Sequence, residues 1–155
     1  MKILLLSDTH GDILRIEEVL DECGKPDLII HCGDIDSDCD YIQRILPADV
    51  AFLAVRGNND WHSERPYSMV QELDGIRFYI THGHREKVKT GSEGLIRAAK
   101  MQNCSVALHG HTHRPLHATE DGIQVINPGA LSYPVTSYAV LYTDNGKLTV
   151  YLKKI

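Results

Sequence analysis

A chain of 155 residues with 43% hydrophobic and 24% charged residues has the proportions of an ordinary globular protein, and its length predicts a single domain over residues 1–155. A domain this size buries roughly 70% of its unfolded surface, so its core needs neither disulfides nor a structural metal. A formal charge of -5 with 6% aromatics excludes the basic, stacking-rich surface of a duplex nucleic-acid binder.

The continuous apolar run Lys2–Leu6 predicts a buried strand, and Ile16, Val19, Leu20 and Cys23 then follow helical spacing until Gly24 and Pro26 stop the helix. Asp27–His31 reads as a second strand, Tyr41, Ile42, Ile45 and Leu46 as a second helix, and Val50–Val55 as a third strand. This is a βαβαβ pattern with a parallel sheet. Beyond residue 66 the pattern changes to a hairpin, Tyr67–Glu72 and Ile76–Thr81 turning at Asp74-Gly75. A helix near Ser92–Gln102 leads into a strand at Ser105–His109. Two more hairpins turn at Asp121-Gly122 and Asn145-Gly146, with strands near Leu116–Thr119, Ile123–Asn127, Tyr138–Tyr142 and Leu148–Leu152. A parallel half joined to an antiparallel half predicts an α/β protein of two packed sheets flanked by helices.

Cys23, Cys32, Cys39 and Cys104 form no Cys-x-x-Cys pair, and three of them lie in or beside apolar runs, so free thiols in a reducing cytoplasm are expected. The apolar run Ile3–Leu6 is too short for a signal-peptide core or a membrane span. No membrane association is expected.

Nine histidines are the compositional excess, and histidine is the commonest metal ligand. Polar residues collect after the predicted strands: Asp8-Thr9-His10, Gly33-Asp34, Gly57-Asn58-Asn59-Asp60, Thr81-His82-Gly83-His84 and His109-Gly110-His111-Thr112-His113. In α/β sheets that edge is where ligands bind. Read singly, each cluster is a helix cap, a turn or a surface histidine; read together, five strand ends converge on one crevice. Carboxylate, imidazole and amide ligands suit manganese, with nickel, iron or zinc as alternatives. A mixed Asp/His/Asn set points to a pair of divalent ions that activate a shared water and clamp a phosphoryl group.

The series Asp-x-His, Gly-Asp, Gly-Asn-x-Asp, His and Gly-His-x-His resembles the calcineurin-like metallophosphoesterase superfamily. Ser7-Asp8-Thr9-His10-Gly11, Arg56-Gly57-Asn58 and Asn127-Pro128-Gly129 look most like its small microbial phosphodiesterase branch. The resemblance spans nearly the whole chain. It implies a four-layer α/β/β/α sandwich of two mixed sheets flanked by helices. It also implies one metal on Asp8, His10, Asp34 and His113 and another on Asp34, Asn58, His82 and His111, with Asp34 bridging opposite a hydroxide nucleophile. Two divalent ions set against Asp8, Asp34 and that hydroxide leave a locally positive centre in an acidic protein, suited to a small phosphorylated substrate.

Two departures from the family pattern stand out. Asn59 occupies the place where many members carry a histidine that helps protonate the leaving group, and an amide cannot act as a general acid. His84, two residues beyond His82, is the candidate replacement, with a plain loop role as its alternative. The chain also reads Ala130-Leu131-Ser132-Tyr133-Pro134-Val135 where the branch would carry a Pro-Arg pair, so an arginine that grips phosphate is missing at Val135. Of the other residues, His31 and His109 are expected beside the ligands or in the core, His62 and His117 at the surface, and Asp12 as a helix N-cap. Asp60 is expected to fix a neighbouring histidine, Asn127 to orient a ligand histidine or serve a turn, and Trp61 and Arg65 to sit at the rim.

The function expected on this basis is a binuclear metal-dependent phosphodiesterase or phosphoesterase. A phosphomonoesterase is the nearest enzymatic alternative, and a non-catalytic protein-binding scaffold of the same fold is the rival from another class. The predicted ligand positions are intact, which favours the enzyme. Oligomeric state and natural substrate are not readable from the sequence.

Overall fold

The structure, a computed structural model, describes residues 1–155. Its elements are β1 (Lys2–Leu6), α1 (Ile13–Cys23), β2 (Leu28–His31), α2 (Asp36–Ile45), β3 (Ala51–Ala54), β4 (Ser68–Leu73), β5 (Ile76–Thr81), α3 (Glu93–Met101), β6 (Val106–Leu108), β7 (Leu116–Glu120), β8 (Ile123–Asn127), β9 (Ser137–Asp144) and β10 (Lys147–Lys154). They form two five-stranded sheets, β10-β9-β1-β2-β3 and β4-β5-β6-β8-β7.

The continuous apolar runs of the sequence arise because the inner strands are covered on both faces. In β1, Ile3 and Leu5 point between the sheets, where they meet Leu28, Ile30, Ile76, Phe78, Ile80, Val106 and Leu108. Leu4 and Leu6 point outward, against Ile16 and Val19 of α1 and Ile42 of α2. On the far side, Tyr79, Ala107 and Val125 pack against Leu95, Ile96 and Ala99 of α3. Each fully buried Leu or Ile contributes about 1.5–3 kcal/mol of transfer free energy, so this central layer is the main source of cohesion. The result is the expected α/β/β/α sandwich.

The division into a parallel and an antiparallel half does not hold. β9 pairs antiparallel with β1 and carries β10 with it, so the last hairpin completes the first sheet. The second sheet in turn has a parallel centre, β5-β6-β8, between antiparallel edges. Both sheets are therefore mixed. Alternation and an Asn-Gly turn specify a hairpin but not the sheet it joins; the buried Ser137–Leu141 stretch fits only where both faces are covered.

Helix ends follow local chemistry. The Asp12 carboxylate accepts the Arg15 N–H at 3.3 Å as the α1 N-cap, and Gly24 ends the helix with φ 64°. All four cysteines are free and buried, and no helix is long and apolar enough to cross a membrane.

Candidate metal centre

The C-terminal ends of β1, β2, β3, β5 and β6 come together at one edge of the sandwich. The loops there are tied across the sheets. The Asp8 and Thr9 N–H groups donate to the carbonyls of Gly33 and Asp34 at 2.9 Å, and the Gly110 N–H donates to the His82 carbonyl at 3.1 Å. Asp8, His10, Asp34, His111 and His113 all adopt left-handed backbone, with φ between 46° and 66°. Each such residue costs on the order of 1 kcal/mol or more, and clustering of that strain is characteristic of a functional site.

Two groups of ligand atoms result, Asp8 with His10 and His113, and Asp8 with Asp34 and His82, each lying within 4.8 Å of one another. His113 Nε2 stands 3.1 Å from Asp8 Oδ1 and 3.4 Å from His10 Nε2. His82 Nε2 stands 3.0 Å from Asn58 Oδ1, 3.2 Å from His111 Nδ1, 3.8 Å from Asp34 Oδ2 and 3.9 Å from Asp8 Oδ1. Asp8, Asp34 and His82 are buried, while His10 and Asn58 open to solvent. Every sequence-predicted ligand is therefore in this cluster, and together they make a candidate binuclear metal site.

The donor chemistry fits divalent cations. His82 donates Nδ1–H to the Cys32 carbonyl at 2.7 Å, so in the neutral ring Nε2 turns a lone pair toward the Asn58 oxygen and the two carboxylates. Lone pairs facing lone pairs at such distances repel, and a cation among them turns repulsion into ligation. No thiolate takes part, which suits first-row ions that favour N and O donors.

Burial works to raise Asp8, but the hydrogen bond from His113, the electrostatic pull of the neighbouring His82 site and the Ser7 hydroxyl together hold it below the ordinary carboxylate value. The same bond to Asp8 pushes His113 up, against burial. Burial, followed by His82 and Lys89, pushes His111 down to about 4, keeping it neutral and able to ligate.

The surrounding contacts explain how the ligands are held. Asp8 Oδ2 accepts the Ser7 hydroxyl at 2.6 Å and the His111 N–H at 3.0 Å. Asp34 Oδ1 accepts the Asn59 N–H at 3.1 Å, and Asp34 Oδ2 accepts the Asn59 side-chain amide at 2.6 Å. Asn59 therefore orients Asp34. Asn127 donates Nδ2–H to the Gly110 carbonyl and to Thr112 Oγ1, both at 2.9 Å, fixing the loop that carries His111 and His113.

Asp60 does not fix a histidine. Its carboxylate accepts three backbone N–H groups, from Gly57 at 2.6 Å, Asp36 at 2.8 Å and Asp34 at 3.1 Å. It thus ties the Asp34 and Asn58 loops together and caps α2, whose own N-cap, Ile35, offers no side-chain acceptor. Buried Asp38 accepts the Gly11 N–H at 2.8 Å and steadies the loop of His10. Sequence reading missed Asp38 because an acid in the first turn of a helix already has a reason to be there.

His84 lies beside the cluster, its ring 5.5 Å from His82 and 6.1 Å from His111, and its buried Nδ1 has no partner. Burial, then His82, pushes it below the ordinary histidine value. Trp61 is 81% exposed, and Arg65 pairs with Asp36 and, at 2.7 Å, with Asp40. His62 and His117 are exposed, and Val135 brings no cation.

Buried His31 accepts the Gly33 N–H on Nδ1 at 3.1 Å, and its Nε2 faces Thr9 Oγ1 at 3.3 Å, so it braces two ligand loops. Burial pushes it down to about 4, against about 6.5 in an unfolded chain. Between those values the unfolded state binds a proton that the folded state refuses, so this stability is full above about pH 6.5 and is lost as pH falls toward 4. In the metal-stripped protein, His31→Asn, which keeps an acceptor near the Nδ1 position, should show a smaller drop in urea midpoint between pH 7 and pH 5 than the unsubstituted protein. Equal drops would contradict this role.

The Calcineurin-like phosphoesterase superfamily domain matches residues 1–146 of the chain. A probable metallophosphoesterase of Mycoplasma pneumoniae is 35% identical over 96% of this chain and 93% of its own. Phosphodiesterase YfcE of Escherichia coli K12 is 32% identical over 97% and 91%. A predicted phosphoesterase of Streptococcus pneumoniae superposes with a TM-score of 0.78 at 30% identity, over 99% of this chain and 88% of its own. With the fold, the convergent ligand set and these likenesses in agreement, the chain belongs to the calcineurin-like phosphoesterase superfamily.

Proposed function

We infer that the protein is a phosphodiesterase of small phosphate esters that works with two divalent metal ions, manganese being the first candidate. The observation that carries this reading is the convergence of Asp8, His10 and His113 and of Asp8, Asp34 and His82 within ligating distance of one another. One ion would be held by Asp8, His10, Asp34 and His113, the other by Asp34, Asn58, His82 and His111. When bound, such ions supply Lewis acidity and a water acidic enough to attack phosphorus near neutral pH.

Lone-pair accounting supports Asp34 as the shared ligand. Asp8 Oδ2 already accepts two hydrogen bonds, from the Ser7 hydroxyl and the His111 N–H, and Asp8 Oδ1 meets His113 Nε2 at 3.1 Å, so Asp8 has little capacity left for a second ion. Each Asp34 oxygen accepts one bond from Asn59 and keeps a second lone pair, so this carboxylate would have capacity to help hold both ions.

Because Asn59 is spent on Asp34, the leaving group must find its proton elsewhere. His84 is the candidate: its unpartnered Nδ1 shows that its hydrogen-bonding capacity is not used up by the fold. A depressed pKa makes its imidazolium a stronger acid but a scarcer one at pH 7, so its contribution grows toward lower pH. His84→Ala should lower turnover of alkyl phosphodiesters about a hundredfold while changing p-nitrophenyl esters little, since nitrophenolate leaves without a proton. Equal effects on both esters, or none, would remove His84 from this role. Hydrolysis of bis(p-nitrophenyl) phosphate by the metal-supplied protein tests the wider reading, and inactivity from pH 5 to pH 9 would return the scaffold alternative.

A further inference from the structure

Beside the metal centre lies a groove of about 710 Å³ between the 88–92 segment and the 112–116 segment, with Glu120 at its edge. Its walls carry Val88, Leu95, Pro115 and Leu116, and it begins at Thr112, the residue between ligands His111 and His113. That volume suits a nucleoside-sized body. Two cations line it, Lys89 and Arg114, both exposed. Neither has a carboxylate within salt-bridge distance, and of the cations of this chain these two line the groove. The groove's own acid, Glu120, is engaged by the Ser92 hydroxyl.

Both cations are held close to the ligands. Arg114 directly follows His113, and its N–H donates to Thr112 Oγ1 at 3.3 Å. The segment of Lys89 is pinned to the end of β5, where the Val88 N–H donates to the Gly83 carbonyl at 3.2 Å. An apolar trough with two unpaired cations beside a phosphoryl site is complementary to an organic group bearing a second anion.

We propose that this groove binds one arm of the substrate, the apolar body of that arm lying along Val88, Pro115 and Leu116 and a second phosphate on it held by Lys89 and Arg114. The proposal rests on the phosphodiesterase reading and narrows it to diesters of which one alcohol is itself phosphorylated. The pair also supplies the phosphate grip that Val135 does not.

Two probes differ only in the second phosphate: the p-nitrophenyl ester of thymidine 5′-phosphate, with and without a 3′-phosphate. The metal-supplied protein should favour the 3′-phosphorylated ester by about tenfold in kcat/KM, mainly through KM, as two charge-assisted contacts at an exposed site allow. In the Lys89→Ala/Arg114→Ala protein that ratio should fall to about one, whatever its absolute rate. A ratio that survives the double substitution, or one already near one in the unsubstituted protein, overturns the proposal. Equilibrium binding of thymidine 3′,5′-bisphosphate against thymidine 5′-monophosphate gives a readout that needs no turnover. If the protein hydrolyses neither ester yet still prefers the bisphosphate through Lys89 and Arg114, the groove stands and the enzymatic reading fails. If both esters are hydrolysed without preference, the enzymatic reading stands and the groove assignment fails.

Discussion

Asp34→Asn is expected to deplete both metal positions at once and to cut hydrolysis of bis(p-nitrophenyl) phosphate by at least about a thousandfold, equivalent to roughly 4 kcal/mol of transition-state stabilisation. The substitution is nearly isosteric, so the fold around a buried residue should survive. It exchanges one carboxylate oxygen for an amide nitrogen that offers hydrogens instead of a lone pair, and it removes a negative charge that would be shared by the two proposed ions. Asn59 would then face an amide with its own donor across the 2.6 Å contact, which turns the Asp34 side chain away from its present orientation. His113→Ala, by contrast, removes a half-exposed ligand of one group only and should leave the ion near Asn58, His82 and His111 in place. Metal content by elemental analysis separates the two variants: a loss of both ions for Asp34→Asn and of one for His113→Ala. Full, equal occupancy in both would contradict Asp34 as the shared ligand.

The second large effect is expected at a residue that ligates nothing. A Cβ at Gly57 would lie 2.7 Å from the Asp34 backbone nitrogen and 2.6 Å from its carboxyl carbon, and closer still to Oδ1. A carboxylate can rotate, but the backbone of Asp34 cannot retreat, because its N–H is held by Asp60 and its carbonyl by Thr9. Gly57→Ala must therefore push the β2 and β3 loops apart. Overpacking of this kind costs about 1–3 kcal/mol of stability, and here it would also displace Asp34, the proposed shared ligand. The expected outcome is a lower melting temperature together with manganese affinity weakened by at least about tenfold, as for loss of groups that orient a ligand. Unchanged affinity with lowered stability would separate the glycine from the site.

Much of this was legible before the structure. The βαβαβ half was visible because strands covered on both faces read as unbroken apolar runs, and the ligands because each polar cluster directly follows such a run. Which sheet each hairpin joins was not legible, since turn chemistry is local and sheet membership is a long-range packing choice. Asp60 was misread for a similar reason. Its spacing from Asn58 is the same whether it meets a ring nitrogen or three backbone N–H groups, and only the closeness of the Asp34 and Gly57 loops decides. The left-handed backbone at Asp8, His10, Asp34, His111 and His113 carries no compositional mark, because none of these residues is glycine. Lys89 and Arg114 stand outside every motif, and what distinguishes them is their shared place on the wall of one groove that begins beside the ligand histidines, a property of three-dimensional placement.

The charge of the chain also gains a meaning. An excess of acids would repel a phosphate ester, yet two buried carboxylates ringed by imidazoles are suited to becoming a positive patch when divalent ions bind.

Titration of the metal-stripped protein with manganese, followed by calorimetry and by hydrolysis of bis(p-nitrophenyl) phosphate in the same samples, tests the central claim most directly. Two ions bound per chain are expected, with hydrolysis appearing as the second position fills. Full activity at one ion per chain, or two ions bound with no hydrolysis of any phosphate ester, would contradict it.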